Sequence, residues 1–272
     1  MSGKFKNNYI SKAYFKRMGE LMKIQKLLLF CLVILTIFVM FGEGKILAAP
    51  PRVSASTACV VDVETNQILY DKHMQVKRYP ASTTKILTAI IAIENGDLEK
   101  EVTVSKKAAY QEGSSIYLKA GEKITLRELV YGILLASGND AAVAIAEHIS
   151  GSVSEFAQLM NEKAAAIGAR NSHFLNPHGL PQSGHYSTAL DLALIMRYAL
   201  QNKTFAKITA TKHKYISGPD NEWNRGLRNH NKLLWSYEGI TGGKTGYTRA
   251  AGRCLVSSAE RHQREVVAVV LN

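Results

Sequence analysis

The stretch YPASTTKILTAII, Tyr79 to Ile91, decides how this chain is read. Pro80 suits an entry turn, and Ser82, Thr83 and Thr84 are all residue types that cap helix N-termini. Ile86, Leu87, Ile90, Ile91 and Ile93 then recur at helical spacing until Asn95-Gly96 stops the run. A helix beginning here places Ser82 and Lys85, three residues apart, on one face. Such a pair is either a cap beside an exposed lysine or a nucleophile beside its base. A serine followed three residues later by lysine arises by chance about once in a chain of this length, so the spacing alone does not choose.

Outward from that helix the periodicity changes twice. On its N-terminal side STACVVDVETNQILYDK (56–72) holds two strand-like runs around the polar turn Glu64 to Gln67, a hairpin. On its C-terminal side TLRELVYGILLAS (125–137) opens with a capping box, Thr125 and Glu128, and DAAVAIAEHIS (140–150) continues after a break at Ser137-Gly138-Asn139. A third helix runs through 154–169 to a stop at Gly168, and a fourth spans 187–202, capped by Ser187 or Thr188 with Asp191 in its first turn. GITGGKTGYT, GRCLVSSAE and REVVAVVLN (239–248, 252–260, 264–272) read as three closing strands. Two strands, a block of helices and three strands predict one antiparallel sheet with helices packed on it, an α+β arrangement.

Composition excludes some classes. The 272 residues are 46% hydrophobic, which argues against disorder. The net charge of +12 invites a nucleic-acid reading, but residues 1–26 carry Lys4, Lys6, Lys12, Lys16, Arg17, Lys23 and Lys26 against Glu20 alone, which is +6, half of the excess. The body is only mildly basic. The sixteen uncharged residues Leu27 to Gly42 and the small pair Ala48-Ala49 complete the layout of an export signal. Residues 1–49 are therefore expected to be a basic N-terminus with a signal peptide or membrane anchor, and 50–272 the functional domain, outside the cytoplasm. Cys59 and Cys254 fall in strand-like runs and are expected as buried free thiols.

Two further triplets give the Ser82–Lys85 pair weight. Ser137-Gly138-Asn139 falls between two helices, and Lys244-Thr245-Gly246 sits on a strand near the end, the order in which penicillin-interacting serine enzymes use such motifs. With ASTTKILTA, LLASGNDAAVAIAEHISGS, FLNPHGL, NKLLW and GGKTGYT, the chain from about Ser56 onward resembles the low-molecular-mass penicillin-binding proteins that are D-alanyl-D-alanine carboxypeptidases. The resemblance implies a penicillin-binding transpeptidase/β-lactamase-like α/β fold with a five-stranded antiparallel sheet. It implies Ser82 as acyl-ester nucleophile, Lys85 as general base and Ser137 as proton relay. Asn139, Lys244, Thr245 and Gly246 would bind substrate, and the backbone N–H groups of Ser82 and Tyr247 would form an oxyanion hole. The implied partners are the D-Ala-D-Ala end of the peptidoglycan stem peptide and, as inhibitors, β-lactams, with no metal, cofactor or nucleic acid.

The residue chemistry agrees, because a serine hydroxyl needs a neighbouring base, and a lysine is a base only when burial or a nearby cation lowers its pKa. Three other readings make different demands. A class A β-lactamase would need a further Glu for the deacylating water, and only Glu155 and Glu162 lie between Ser150 and Pro181. A zinc peptidase would need His173, His178 and His185 to act as ligands, at a spacing that fits no zinc pattern. An inactive wall-associated module would fit a chain that ends at VVAVVLN, where the family has a closing helix; the last strand is then expected to expose apolar surface. In RNHN (228–231), Arg228 or His230 could reach a substrate carboxylate, and Trp223 and Trp235 are expected to pack rather than bind.

Overall fold

The computed structural model describes residues 4–41, 49–219 and 224–272. It divides into two compact units, Met1–Pro51 and Arg52–Asn272. The first holds helix α1 (Lys4–Phe41), which joins the basic head and the apolar run in one element. Leu27, Leu28, Leu29 and Phe30, four consecutive residues that together circle the helix, are all exposed on it. Among the described residues no helix is long and apolar enough to cross a membrane. Gly42 and Ala48, at the expected end of the leader, and Trp223 lie outside the described residues.

In the second unit β1 (Thr57–Asp62) and β2 (Ile68–Lys72) form the expected hairpin. Asp62 fixes its turn, accepting from the Glu64 and Thr65 N–H groups at 3.1 and 2.9 Å. A 3-10 turn (Ala81–Thr84) then runs directly into α2 (Lys85–Asn95). None of the three hydroxyl residues caps this helix, contrary to the sequence reading. Thr83 donates instead to the Pro80 carbonyl at 2.6 Å, and Thr84 Oγ1 meets His185 Nε2 at 3.2 Å.

Helix α2 is buried from Lys85 to Ala92 on every side, so it is a central pillar rather than an amphipathic surface helix. Each of its fully buried Ile or Leu side chains contributes about 1.5–3 kcal/mol by leaving water. Around it come β3 (Glu101–Thr103), α3 (Lys106–Ala109), β4 (Lys123–Thr125), α4 (Leu126–Leu135), α5 (Asn139–Ser150) and α6 (Val153–Ile167). The Thr125–Glu128 capping box forms as expected, and α5 and α6 end on left-handed Gly151 and Gly168. Next are α7 (Ala189–Leu200), capped by Thr188, α8 (Lys203–Ala210), β5 (His213–Ser217), β6 (Asn224–Arg228) and the short α9 (Leu233–Ser236).

The chain closes with β7 (Ile240–Thr248), β8 (Gly252–Arg261) and β9 (Arg264–Leu271). The main sheet has the order β2-β1-β9-β8-β7, antiparallel throughout. The final strand is therefore central, hydrogen-bonded on both sides. Its Val267, Val269 and Leu271 are buried on one face, while Val266, Ala268 and Val270 on the other are only half-buried, the partly exposed apolar surface expected of this strand. Two small sheets, β3–β4 and β5–β6, escaped the sequence reading because strands this short and polar carry little periodicity. Cys59 and Cys254 are free and buried, and burial first of all lifts both thiols to about 11.

Candidate active site

The 3-10 turn presents Ser82 from a strained backbone. Ala81, just before it, has φ +47°, a conformation that costs a non-glycine residue about 1–3 kcal/mol and persists only where packing imposes it. Two glycines impose it. Gly179 (φ +86°) lies so close that a Cβ there would collide with the Ala81 carbonyl oxygen. On the other side a Cβ on Gly246 of β7 would stand 2.9 Å from the Ser82 nitrogen and 3.0 Å from Ala81 Cβ. Gly246→Ala must push strand and turn apart at an overpacking cost of about 1–3 kcal/mol, so if Ser82 is the nucleophile expected from sequence its reaction with an acyl donor is expected to slow by about 5- to 150-fold. An unchanged rate would show that β7 does not set the position of the turn.

Lys85 is fully buried and makes three contacts. Its Nζ is 3.2 Å from Ser82 Oγ, 2.7 Å from Asn139 Oδ1 and 2.8 Å from the His178 carbonyl oxygen. The Asn139 amide cannot turn round, because its Nδ2 donates to the Glu112 carbonyl at 2.5 Å. A neutral amine has two N–H donors and one lone pair. The Lys85 ammonium can donate to all three; once its proton is lost, the two carbonyl oxygens keep the two remaining N–H donors and the lone pair is left for Ser82 Oγ. Burial first, and then the charge of Lys244, hold the Lys85 pKa well below the usual lysine range, while Asp140 works the other way. Lys244 is itself 1% exposed; burial pushes its pKa down to about 7, and its Nζ donates to the Thr245 carbonyl at 2.8 Å.

A cavity of about 620 Å³ opens in front of this group. Of the residues singled out from sequence, Ser82, Ser137, Thr245, Gly246 and Tyr247 line it, whereas Lys85, Asn139 and Lys244 are buried. Ser137 enters the wall at φ +66°, another position where strain is kept beside the cavity. Strand β7 is an edge of the sheet, so alternate main-chain N–H and C=O groups point away from β8. His230 also lines the cavity; Arg228 does not, because its guanidinium stacks 5.2 Å from the Trp235 ring. Trp235, 37% exposed, packs with Arg228 over its ring and His213 beside it and does not line the cavity, as expected of a packing residue.

Sequence reasoning missed the groups that act through their main chain, Glu112 and His178, since a carbonyl oxygen carries no residue signature. It also passed over Asn231, whose side-chain amide donates to the Gly242 carbonyl at 3.3 Å and Ser257 Oγ at 3.1 Å and so braces the start of β7. The histidine loop is a structural support. His185 Nδ1 accepts from the Leu175 N–H at 3.1 Å, so Nε2 carries the proton toward Thr84, and His178 Nδ1 accepts from the Leu180 N–H at 3.2 Å. Among the described residues no three metal-ligating side chains come together.

Both supporting rings are held neutral. Burial, then the Lys85 charge, pushes His178 down to about 3, and burial, then His173, pushes His185 down to about 4. His148 and His230 shift the same way. Above the ordinary histidine value of 6.5 these rings are neutral in both folded and unfolded chains and add nothing to the pH dependence of stability. Below it the unfolded chain takes up protons that the folded chain refuses, so stability is lost as pH falls from 6.5 toward 4. Thermal melting followed from neutral pH into this window is expected to show a steady decline; a flat melting temperature would refute the neutral-ring assignment.

A family profile described as D-alanyl-D-alanine carboxypeptidase matches residues 45–272. The chain belongs to the D-alanyl-D-alanine carboxypeptidase family. It is 40% identical over 223 residues to DacF of Bacillus subtilis (strain 168), covering 79% of this chain and 57% of that protein. It is 37% identical over 223 residues to DacB2 of Mycobacterium tuberculosis, covering 81% and 76%. This chain thus spans well under two thirds of the Bacillus relative. Among solved structures, a D-alanyl-D-alanine carboxypeptidase from M. tuberculosis H37Rv superposes with TM-score 0.79 at 35% identity, covering 84% of this chain and 86% of that one. A Streptomyces K15 DD-transpeptidase variant superposes with TM-score 0.78 at 33% identity, covering 82% and 92%. The fold read from the sequence, a five-stranded antiparallel sheet with helices, is thus the DD-peptidase fold.

Proposed function

We propose that this protein is a serine-type D-Ala-D-Ala carboxypeptidase acting on peptidoglycan stem peptides. The observation that carries the reading is the Lys85 amine, whose two N–H groups are spoken for by Asn139 Oδ1 and the His178 carbonyl while Ser82 Oγ stands at 3.2 Å. Ser82 Oγ attacks the carbonyl carbon of the penultimate D-alanine as its proton passes to Lys85 Nζ. The C–N bond breaks, and Ser137 returns the proton to the departing amine of the last D-alanine. Water then attacks the ester carbonyl as Lys85 takes its proton, the Ser82 Oγ–C bond breaks, and Lys85 hands that proton to Ser82 Oγ as the shortened peptide leaves. The Ser82 and Tyr247 N–H groups hold the oxyanion. Asn139, its amide taken up by Lys85 and the Glu112 carbonyl, holds the base rather than the acyl donor, and Thr245, with the room left by Gly246 and the charge of Lys244 behind it, receives the terminal carboxylate.

A β-lactam presents a strained amide and a carboxylate to the same groups. Opening the ring expels no fragment, so Ser82 keeps the whole molecule. Neither Glu155 nor Glu162 lines the cavity, and Glu155 is engaged with Ser152 at 2.9 Å, which supports slow release of the adduct rather than a β-lactamase. The transpeptidase neighbour supports a second reading, in which an amine takes the acyl group in place of water. The leader-like N-terminus supports an envelope location, secreted or membrane-held.

The test is intact mass before and after benzylpenicillin, with peptide mapping, and an assay of D-alanine release with and without an amine acceptor. A lasting adduct of one whole penicillin on Ser82, with D-alanine released into water, is expected. Intact penicillin and an unmodified chain would favour an inactive module, and rapid turnover of penicillin would favour a β-lactamase.

A further inference from the structure

One fully buried charge beside the site has no part in the chemistry above. Asp140, in the first turn of α5, is 0% exposed. Its carboxylate accepts from Ser115 Oγ at 2.6 Å, from the Leu118 N–H at 3.1 Å and from the Ile116 N–H at 3.1 and 3.2 Å. It also accepts from the N–H of Ala141 in its own helix at 2.9 Å. These bonds tie residues 115–118 to the start of α5. The same loop supplies the two carbonyls that hold Asn139, Glu112 for its side-chain amide at 2.5 Å and Ser114 for its backbone N–H at 2.6 Å. Gly138 fits this arrangement, because a Cβ there would stand 2.7 Å from Asp140 Oδ1.

We propose that Asp140 is a positioning residue of the acylation step: it anchors the 112–118 loop that orients Asn139 and hence the Lys85 amine, and its negative charge offsets that of Lys244. The inference rests on the Ser82–Lys85 reading. The groups bonded to Lys85 are Ser82 from the 3-10 turn, Asn139 from α5 and the His178 carbonyl from the histidine loop, and the charges that act on it are Lys244 of β7 and Asp140 of α5. His178 has a ring held neutral, so Lys244 and Asp140 are the opposed charges: Lys244 favours loss of the Lys85 proton and Asp140 resists it. Asp140 therefore places the pH at which Lys85 becomes a base.

The separation of the two contributions is experimental. Asp140→Asn removes the charge and keeps the shape; Ser115→Ala removes one anchoring bond and keeps the charge. The rate of Ser82 acylation by benzylpenicillin, followed by intact mass across its acid limb, is compared for the full chain, both variants and Asp140→Glu, with circular dichroism as the check on folding. Asp140→Asn is expected to move the acid limb to lower pH, the direction set by losing the one negative charge that acts on Lys85. Ser115→Ala is expected to lower the plateau and leave the limb in place. Asp140→Glu, which keeps the charge, is expected to retain the wild-type limb, and it carries the test if Asp140→Asn does not fold. An unmoved limb in Asp140→Asn, a moved one in Asp140→Glu, or complete loss of labelling in a folded Asp140→Asn would each overturn the proposal. If the wild-type chain takes no label, the Ser82–Lys85 reading fails first.

Discussion

Ser82→Ala is expected to abolish both penicillin labelling and D-alanine release while leaving the fold intact. The side chain makes a single contact of note, to Lys85 Nζ at 3.2 Å, and its turn is held by backbone packing from Gly179 and Gly246 rather than by the hydroxyl. Removing the oxygen therefore removes the nucleophile and little else. The melting temperature should stay near that of the parent, since a solvent-facing Ser-to-Ala change costs within about 0.5 kcal/mol. Labelling is read by intact mass and turnover by released D-alanine. Residual turnover comparable to the parent would place the nucleophile elsewhere and end the acyl-enzyme reading.

Lys85→Ala is expected to be nearly as severe, slowing acylation by about 10³-fold, within the range that a positioned general base contributes. The pH dependence separates base from bystander. In the parent, acylation needs neutral Lys85, so the rate falls as pH drops through that residue's titration. In Lys85→Ala this limb should vanish and the remaining slow rate should rise only with hydroxide. The change also strips donors from Asn139 Oδ1 and the His178 carbonyl, both inside the protein, and a buried acceptor left unsatisfied costs about 1–3 kcal/mol. A lower melting temperature is thus expected beside the lost rate, in contrast to Ser82→Ala. A Lys85→Ala protein that still acylates at the parental rate would assign the base to another group.

Much of this site was legible before any coordinate. Ser82 and Lys85 are three residues apart, and any helical turn, 3-10 or α, puts them on one side. The capping box at Thr125, the stops at Gly151 and Gly168 and the alternation of the closing strands are local signals, and each produced the element expected of it. The hydroxyls at 82–84 misled because a cap preference is a weak local bias. Here it is overruled by longer-range partners: Thr84 turns to His185, a hundred and one residues away in sequence.

The sequence by itself determined the order of strands and helices, the three motifs and the chemistry that their residue types allow. The tertiary structure decided what depends on distance between remote segments. It placed β9 at the centre of the sheet, brought Lys244 near Lys85 by way of β7, and set the His178 and Glu112 carbonyls where they orient an amine and an amide. The physical reason is that spacing along a chain fixes neighbours only within a turn or two. Burial, the balance of Lys244 against Asp140, and the acceptors that leave one lone pair of Lys85 for Ser82 exist only once segments far apart in sequence share one interior.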